Sequence, residues 1–185
     1  RFFDVPVAEL TSKAYAAGMA GRIRRGERTE VPRFNTGGAV SKHTTQVCVV
    51  DQAGNAVTIT HTLGQPSGVV TDGLGFMYNG AMAVFDPRPG RAGSLAPGKA
   101  RFSAMSPTIV FRDDKPFLVL GAPGYTYITM GNLQVFLNVL VFDMTPEQAV
   151  YAPRFAAVSN TIEISNRISR SAERALRDQG YRVHR

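Results

Sequence analysis

The sequence predicts an α+β domain, strand pairs first and helices after, in a chain of 185 residues. Three observations carry this. Residues 44–63 form two β-branched runs around a polar turn, and residues 106–120 repeat the pattern. Residues 125–144 are apolar on nearly every side, over a length that suits a buried helix better than a strand. A capping box then opens another helix, with Thr145 before Pro146 at the first helical position and Gln148 two residues further on.

The elements follow in order. "VAELTSKAYAAGMAGRI" (7–23) reads as one helix, capped by Thr11 or Ser12 and ended by Gly21. Residues 24–38 carry charge, Pro32 and a Gly-Gly pair without periodicity, which predicts a linker. "TTQVCVVD", the turn "QAGN" and "AVTITHTL" make a hairpin whose first strand begins at Thr44. Alternation puts Thr44, Gln46, Cys48 and Val50 on one face. "GQPSGVVTDGLGF" reads as a mobile glycine-rich loop, and "DPRPGRAGSLAPGKAR" as a long irregular one of the kind that serves as a lid or binding loop. A second hairpin turns at Asp113–Lys115. After the two helices, "NTIEIS" is a strand, "RSAERALRDQG" a helix stopped by Gly180, and "YRVHR" the start of a further strand.

Composition excludes several classes. Hydrophobic residues make up 44% and charged residues 19%, which is globular rather than disordered. No apolar run reaches membrane-spanning length, so no membrane partner is expected. The net charge is +7, but much of it lies in "GRIRRGERTEVPR" without any nucleic-acid motif, so nucleic acid is not an expected partner either. Cys48 is the single cysteine; it cannot form an internal disulfide, and its strand position predicts a small buried hydrophobe. His43, His61 and His184 lack ligand spacing, so neither a metal nor another cofactor is expected. Phosphate-binding glycine loops and the G-x-S-x-G nucleophile elbow are missing from the sequence. The chain begins at Arg1 without a charged-then-apolar leader and reads as a piece of something longer, which leaves its compartment open.

One chemistry passes this filter. A threonine hydroxyl is a weak nucleophile that needs a base beside it. A threonine at a free N-terminus supplies its own, because an α-amine with pKa of about 7.7–8.0 is partly neutral at physiological pH. Cleavage of the His43–Thr44 bond would create that arrangement. Without cleavage, Thr44 is an ordinary strand threonine.

From Thr44 onward the sequence resembles the small catalytic subunit of the γ-glutamyltranspeptidases (glutathione hydrolases), which are N-terminal nucleophile hydrolases. The blocks that carry the resemblance are "TTQVCVVDQAGNAVTITHTL", "GFMYNGAM", "LAPGKARFSAMSPTIVFRDDKPFLVLGAPG" and "YAPRF", in that order. The resemblance implies a four-layer αββα sandwich. It makes residues 1–43 the C-terminal end of a large subunit plus the cleavage linker, and residues 44–185 a small subunit truncated at its C-terminus. It implies autocatalytic cleavage between His43 and Thr44, and attack by Thr44 on a γ-glutamyl-type amide to give an acyl-enzyme that water or an amino acceptor releases. The partners it implies are a small-molecule amide and the remainder of the chain's own large subunit. Thr62 matches a second threonine whose hydroxyl bonds the nucleophile. Gly124 and Tyr125 fall where the family has a Gly-Gly oxyanion hole, and Ser103 is what remains of a substrate-binding serine pair.

The departures cluster around the donor. Gly64 replaces an asparagine, Ala104 the second serine, Tyr125 the second glycine, Ala81 a polar residue and Val84 the acid that grips the donor ammonium. Asp86 is the nearest candidate to compensate, while Lys99 and Arg101 offer charge for an anion. Two alternatives to γ-glutamyl chemistry follow: hydrolysis of a different small carboxylate-bearing amide (acylase or oxamate type), and an uncleaved, non-catalytic relative.

Overall fold

The computed structural model describes residues 4–31 and 43–185. Residues 32–38 of the expected linker lie outside the described residues. The upstream helix is two helices, α1 (Val7–Leu10) and α2 (Lys13–Arg24). Thr11 Oγ1 donates to Val7 O, and Ser12 accepts from Tyr15 N. These local side-chain bonds compete with a continuous backbone ladder and restart the helix at Ser12. Gly21 lies inside α2 and does not end it. The chain turns off after Arg24, with Gly26 at φ 70°.

The first hairpin joins β1 (Thr44–Val50) to β2 (Ala56–Thr62) in unbroken antiparallel register, from Thr44 opposite Thr62 to Val50 opposite Ala56. Its turn is held by Asp51, whose carboxylate accepts from the Asn55 backbone and side-chain amides. The expected mobile loop is instead a second hairpin, β3 (Pro66–Val70) with β4 (Met77–Asn79). Glycine hides it from pattern reading: Gly68 sits at φ 76° within β3, where the register shifts. A 3₁₀ turn at Ala81–Val84 follows. The long loop after it is irregular, pinned by the Asp86–Ser94 bridge.

β5 (Thr108–Arg112) and β6 (Lys115–Leu120) form the next hairpin, with Asp113 and Asp114 both left-handed (φ 51° and 58°) as a two-residue turn requires. α3 (Tyr127–Leu140) presents Ile128, Asn132, Val135 and Val139 inward, the spacing of one helical face. Leu118 and Leu120 of β6 meet Val135 and Val139 of α3 and Ala149 of α4 (Pro146–Tyr151) to make the core. The Thr145 capping box forms as expected. Gln134 stitches α3 to β7 (Phe155–Ala156) by bonding both the Phe155 N–H and its carbonyl. β7 pairs with β8 (Thr161–Ile164), and β8 runs parallel to β9 (Arg182–His184) beyond α5 (Arg170–Asp178) and Gly180. Glu173 of α5 is buried among Arg170, Arg177 and Arg185, with Arg185 the largest influence holding its carboxyl down from an ordinary 4.5 to about 2.

Among the described residues the architecture is a mixed helix-and-sheet arrangement of four separate sheets, three of them hairpins. No described helix is long and apolar enough to cross a membrane.

Candidate active site

The inward face of the first hairpin is a polar ladder, because its register pairs Thr44 with Thr62, Gln46 with Thr60 and Cys48 with Thr58. Gln46 accepts from Thr60 Oγ1 at 2.5 Å and donates to Thr58 Oγ1 at 2.7 Å. Thr58 Oγ1 donates in turn to Leu120 O at 3.1 Å, tying the ladder to the end of β6. Gly121, the next residue, has the Gln46 amide where a Cβ would lie, so a side chain there would displace Gln46 from the ladder. Cys48 is exposed rather than buried, because only the Thr44–Gln46 end of β1 is partly covered among the described residues and Cys48 lies beyond it towards the turn.

At the open end of the ladder, Thr44 Oγ1 and Thr62 Oγ1 are 2.9 Å apart. Thr62 Oγ1 also donates to His43 O at 3.2 Å, and Gly64 N–H donates to Thr62 Oγ1 at 2.9 Å. The Leu63 N–H reaches the same His43 oxygen at 3.3 Å. A hydroxyl has one proton to give. With that proton on His43 O, Thr62 accepts from Thr44, so the Thr44 proton points at Thr62. Two donors thus converge on the carbonyl of the His43–Thr44 peptide bond, and the hydroxyl that would attack it is already bonded to one of them.

Beyond β6, Gly124 (φ 139°) and Tyr125 (φ 55°) make the turn into α3. A tyrosine in the left-handed region bears about 1–2 kcal/mol of strain. The backbone therefore keeps a glycine-pair conformation although the second residue is not glycine. Gly124 O accepts from Tyr127 N–H, and Tyr127 OH donates to Glu163 Oε2 of β8 at 2.8 Å. That tether was not legible in the sequence, because it joins residues 36 apart. Gln46, Thr58 and Thr60 were also missed as support, although their two-residue spacing on facing strands could have found them.

The remaining expected residues divide. Ser103 is exposed and accepts from Met105 N–H, and the structure joins it to neither threonine. Val84 ends the 3₁₀ turn. Asp86 does not serve as a free acid: Arg88 grips it through two guanidinium nitrogens, both at 2.8 Å, and holds its carboxyl down to about 2. Among the described residues no group of three His, Cys, Asp or Glu side chains could hold a metal ion.

A mixed helix-and-sheet fold with a threonine at the start of a strand, facing a second threonine, agrees with the class of N-terminal nucleophile hydrolases. The family model described as gamma-glutamyltranspeptidase matches residues 1–185, and the chain belongs to that family. An acylase ACY 1 proenzyme from a Pseudomonas species is 37% identical over 186 residues, covering 100% of this chain and 33% of the relative. A glutathione hydrolase proenzyme of Escherichia coli is 35% identical over 169 residues, 83% of this chain and 29% of the relative. The crystal structure of Helicobacter pylori γ-glutamyltranspeptidase superposes with a TM-score of 0.71 at 34% identity, covering 76% of this chain and 83% of that one. The chain thus spans about a third of the length of the curated relatives it matches.

Proposed function

We propose that the protein containing this chain is a self-processing N-terminal threonine hydrolase that transfers or hydrolyses the acyl group of a small γ-glutamyl-type amide. The observation that carries the reading is the 2.9 Å Thr44–Thr62 hydroxyl pair, seated on a carbonyl that already has two donors. In maturation, Thr44 Oγ1 attacks the His43 carbonyl carbon. Thr62 takes the Thr44 proton as it passes its own to the carbonyl oxygen, so the tetrahedral species forms without a free charge. The C–N bond then breaks, nitrogen takes a proton and an ester links His43 to Thr44. Water hydrolyses that ester to leave a His43 carboxylate and a free Thr44 amine.

In the mature site, the Thr44 amine accepts the hydroxyl proton and the Thr62 hydroxyl orients the nucleophile. The Gly124–Tyr125 backbone is the candidate oxyanion hole, where one amide donor is worth about 2.7–4 kcal/mol. Residues 1–43 belong to the large subunit and linker, and residues 44–185 to the small subunit. The partners are the rest of the large subunit and the amide substrate. A four-layer αββα sandwich is the architecture proposed for the assembled pair. The likeness to glutathione hydrolases supports the γ-glutamyl donor.

A second reading, a small carboxylate-bearing amide as donor, is favoured by Val84 and by the engagement of Asp86 with Arg88. The likeness to an acylase agrees with it.

Intact mass of the full-length parent tests the mechanism. Two fragments, the smaller starting at Thr44, are expected, and Thr44→Ala should leave one chain. A wild-type chain that stays whole for days at neutral pH sinks the reading in favour of a non-catalytic relative.

A further inference from the structure

We propose that residues 28–31 are an intersubunit latch. They sit on the corner formed by the end of α5, Tyr181 and Asn160, and they stay there after the His43–Thr44 bond is cut. The occupant then belongs to the large subunit and the seat to the small one. The proposal rests on the self-processing reading above and adds to it a named contact between the two products.

The seat is a helix C-terminus with carbonyls to spare. Tyr181 N–H donates to Leu176 O at 3.1 Å and Gly180 N–H to Arg177 O at 2.7 Å. These paired bonds close a helix on a left-handed glycine, here Gly180 at φ 81°. The carbonyls of Gln179 and Gly180 come next, at the negative end of the α5 dipole, where a cation is favoured. Arg28 supplies it. Its Nη1 donates to Gly180 O at 3.0 Å and its Nη2 to Gln179 O. Its guanidinium carbon lies 4.8 Å from the centre of the Tyr181 ring, a cation–π contact. A Cβ at residue 180 would meet the two guanidinium nitrogens at 2.9 and 3.0 Å, so a side chain there would push Arg28 off its seat.

A second contact falls on the same corner. Val31 N–H donates to Asn160 Oδ1 at 2.7 Å. Asn160 and Tyr181 are neighbours because β8 and β9 run parallel with Thr161 opposite Arg182. The partners of Val31 and Arg28 are thus close in space, although they lie 129 and 152 residues further along the chain.

The occupant is braced from its own side. Glu27 accepts from Arg22 Nε at 2.9 Å and from Arg25 Nε at 2.7 Å, and Arg22 Nη2 donates to Thr29 Oγ1 at 3.2 Å. The residues on either side of Arg28 are therefore tied to α2, and little ordering remains to be lost when Arg28 docks. None of these contacts involves His43, Thr44 or Thr62. Cutting the His43–Thr44 bond removes no part of the latch.

The test follows hydrogen exchange at the Val31 amide by mass spectrometry in the full-length parent, with self-cut wild type beside uncut Thr44→Ala. Exchange should be equally slow in both. Arg28→Ala should speed it by about tenfold in the cut protein, the effect of one charge-assisted contact. Arg28→Lys should recover part of the protection, since it keeps the charge at the helix end without the two-carbonyl fork. Tyr181→Leu, which spares Arg28, should speed exchange by a smaller factor. Exchange that turns fast once the bond is cut, or that ignores both Arg28→Ala and Tyr181→Leu, overturns the latch. Intact mass taken alongside separates the two readings, because a wild-type chain that never cuts itself removes the hydrolase mechanism alone. The latch is then decided in a parent cut at a specific-protease site placed between Phe34 and Val40. Slow exchange at Val31 after that cut upholds it, and fast exchange overturns it.

Discussion

The first and third hairpins are of similar length, both antiparallel, and differently supported. The β5–β6 hairpin lies under α3 and α4, with Leu118 and Leu120 only 7% and 8% exposed. The β1–β2 hairpin bears the candidate nucleophile, yet Val47, Val49, Val57 and Ile59 on its outer face are each about half exposed among the described residues. Its inner face carries four threonine hydroxyls, the Gln46 amide and the Cys48 thiol, with Val50 and Ala56 at the turn end. The β5–β6 hairpin is held by burial, which is strong and tolerant of small displacements. The β1–β2 hairpin is held by register and a hydrogen-bonded lattice, which is weaker but directional. A hydroxyl pair proposed to exchange a proton would need the second kind of support.

Breaking the nucleophilic pair should have the largest effect. Thr44→Ala is expected to leave both cleavage and turnover undetectable, and unchanged mass and rate in that variant would falsify the assignment of Thr44. Removing the relay comes next. Thr62→Ala should slow turnover by roughly 10²-fold or more, the usual contribution of a placed proton-transfer group, while Thr62→Ser recovers most of the rate. A rate within twofold of wild type for Thr62→Ala would reduce Thr62 to a strand residue.

Stability should respond in the opposite hairpin. Leu120→Ala removes core volume and is expected to cost about 2–5 kcal/mol in urea unfolding of this chain, against under about 1 kcal/mol for Val49→Ala on the exposed face. Equal costs would erase the contrast between the hairpins. A smaller effect is expected from Tyr127→Phe, which cuts the tether between the start of α3 and Glu163. We expect a loss in kcat of up to about tenfold with little change in KM, as befits a group that positions the candidate oxyanion turn without touching substrate. A change confined to KM would count against that role.

The smallest effect is a pH dependence. Glu173 has its pKa lowered from 4.5 to about 2 by Arg185 and Arg177. A carboxylate with a lowered folded-state pKa stabilises fully above its ordinary value and loses that contribution as pH falls from 4.5 towards 2. The urea midpoint should therefore drop across that window, and less steeply in Glu173→Gln. Parallel curves for the two proteins would show that Glu173 does not carry the dependence.

Much of this molecule was legible before its structure. Alternation placed Thr44 and Gln46 on one face, the two aspartates marked the turn of β5–β6, and Thr145, Pro146 and Gln148 announced α4. These signals are local, since a turn or cap is made by residues within one hydrogen-bonding step of each other. Where glycine blurred the local pattern, reading failed, as at β3–β4. Where local side-chain bonds interrupt the backbone ladder it failed too: 7–23 is two helices rather than one, although Ser12 is the cap expected.

The sequence by itself determined that Thr44 and Thr62 occupy one hairpin, because strand alternation and turn chemistry act over a few residues. Only the tertiary structure decided that Thr62 also bonds the His43 carbonyl, that Asp86 is held by Arg88, that Tyr125 adopts a glycine conformation and that Tyr127 reaches Glu163. Those outcomes depend on where separate elements come to rest against each other. That is set by the packing of the whole chain, so no short stretch of residues encodes it.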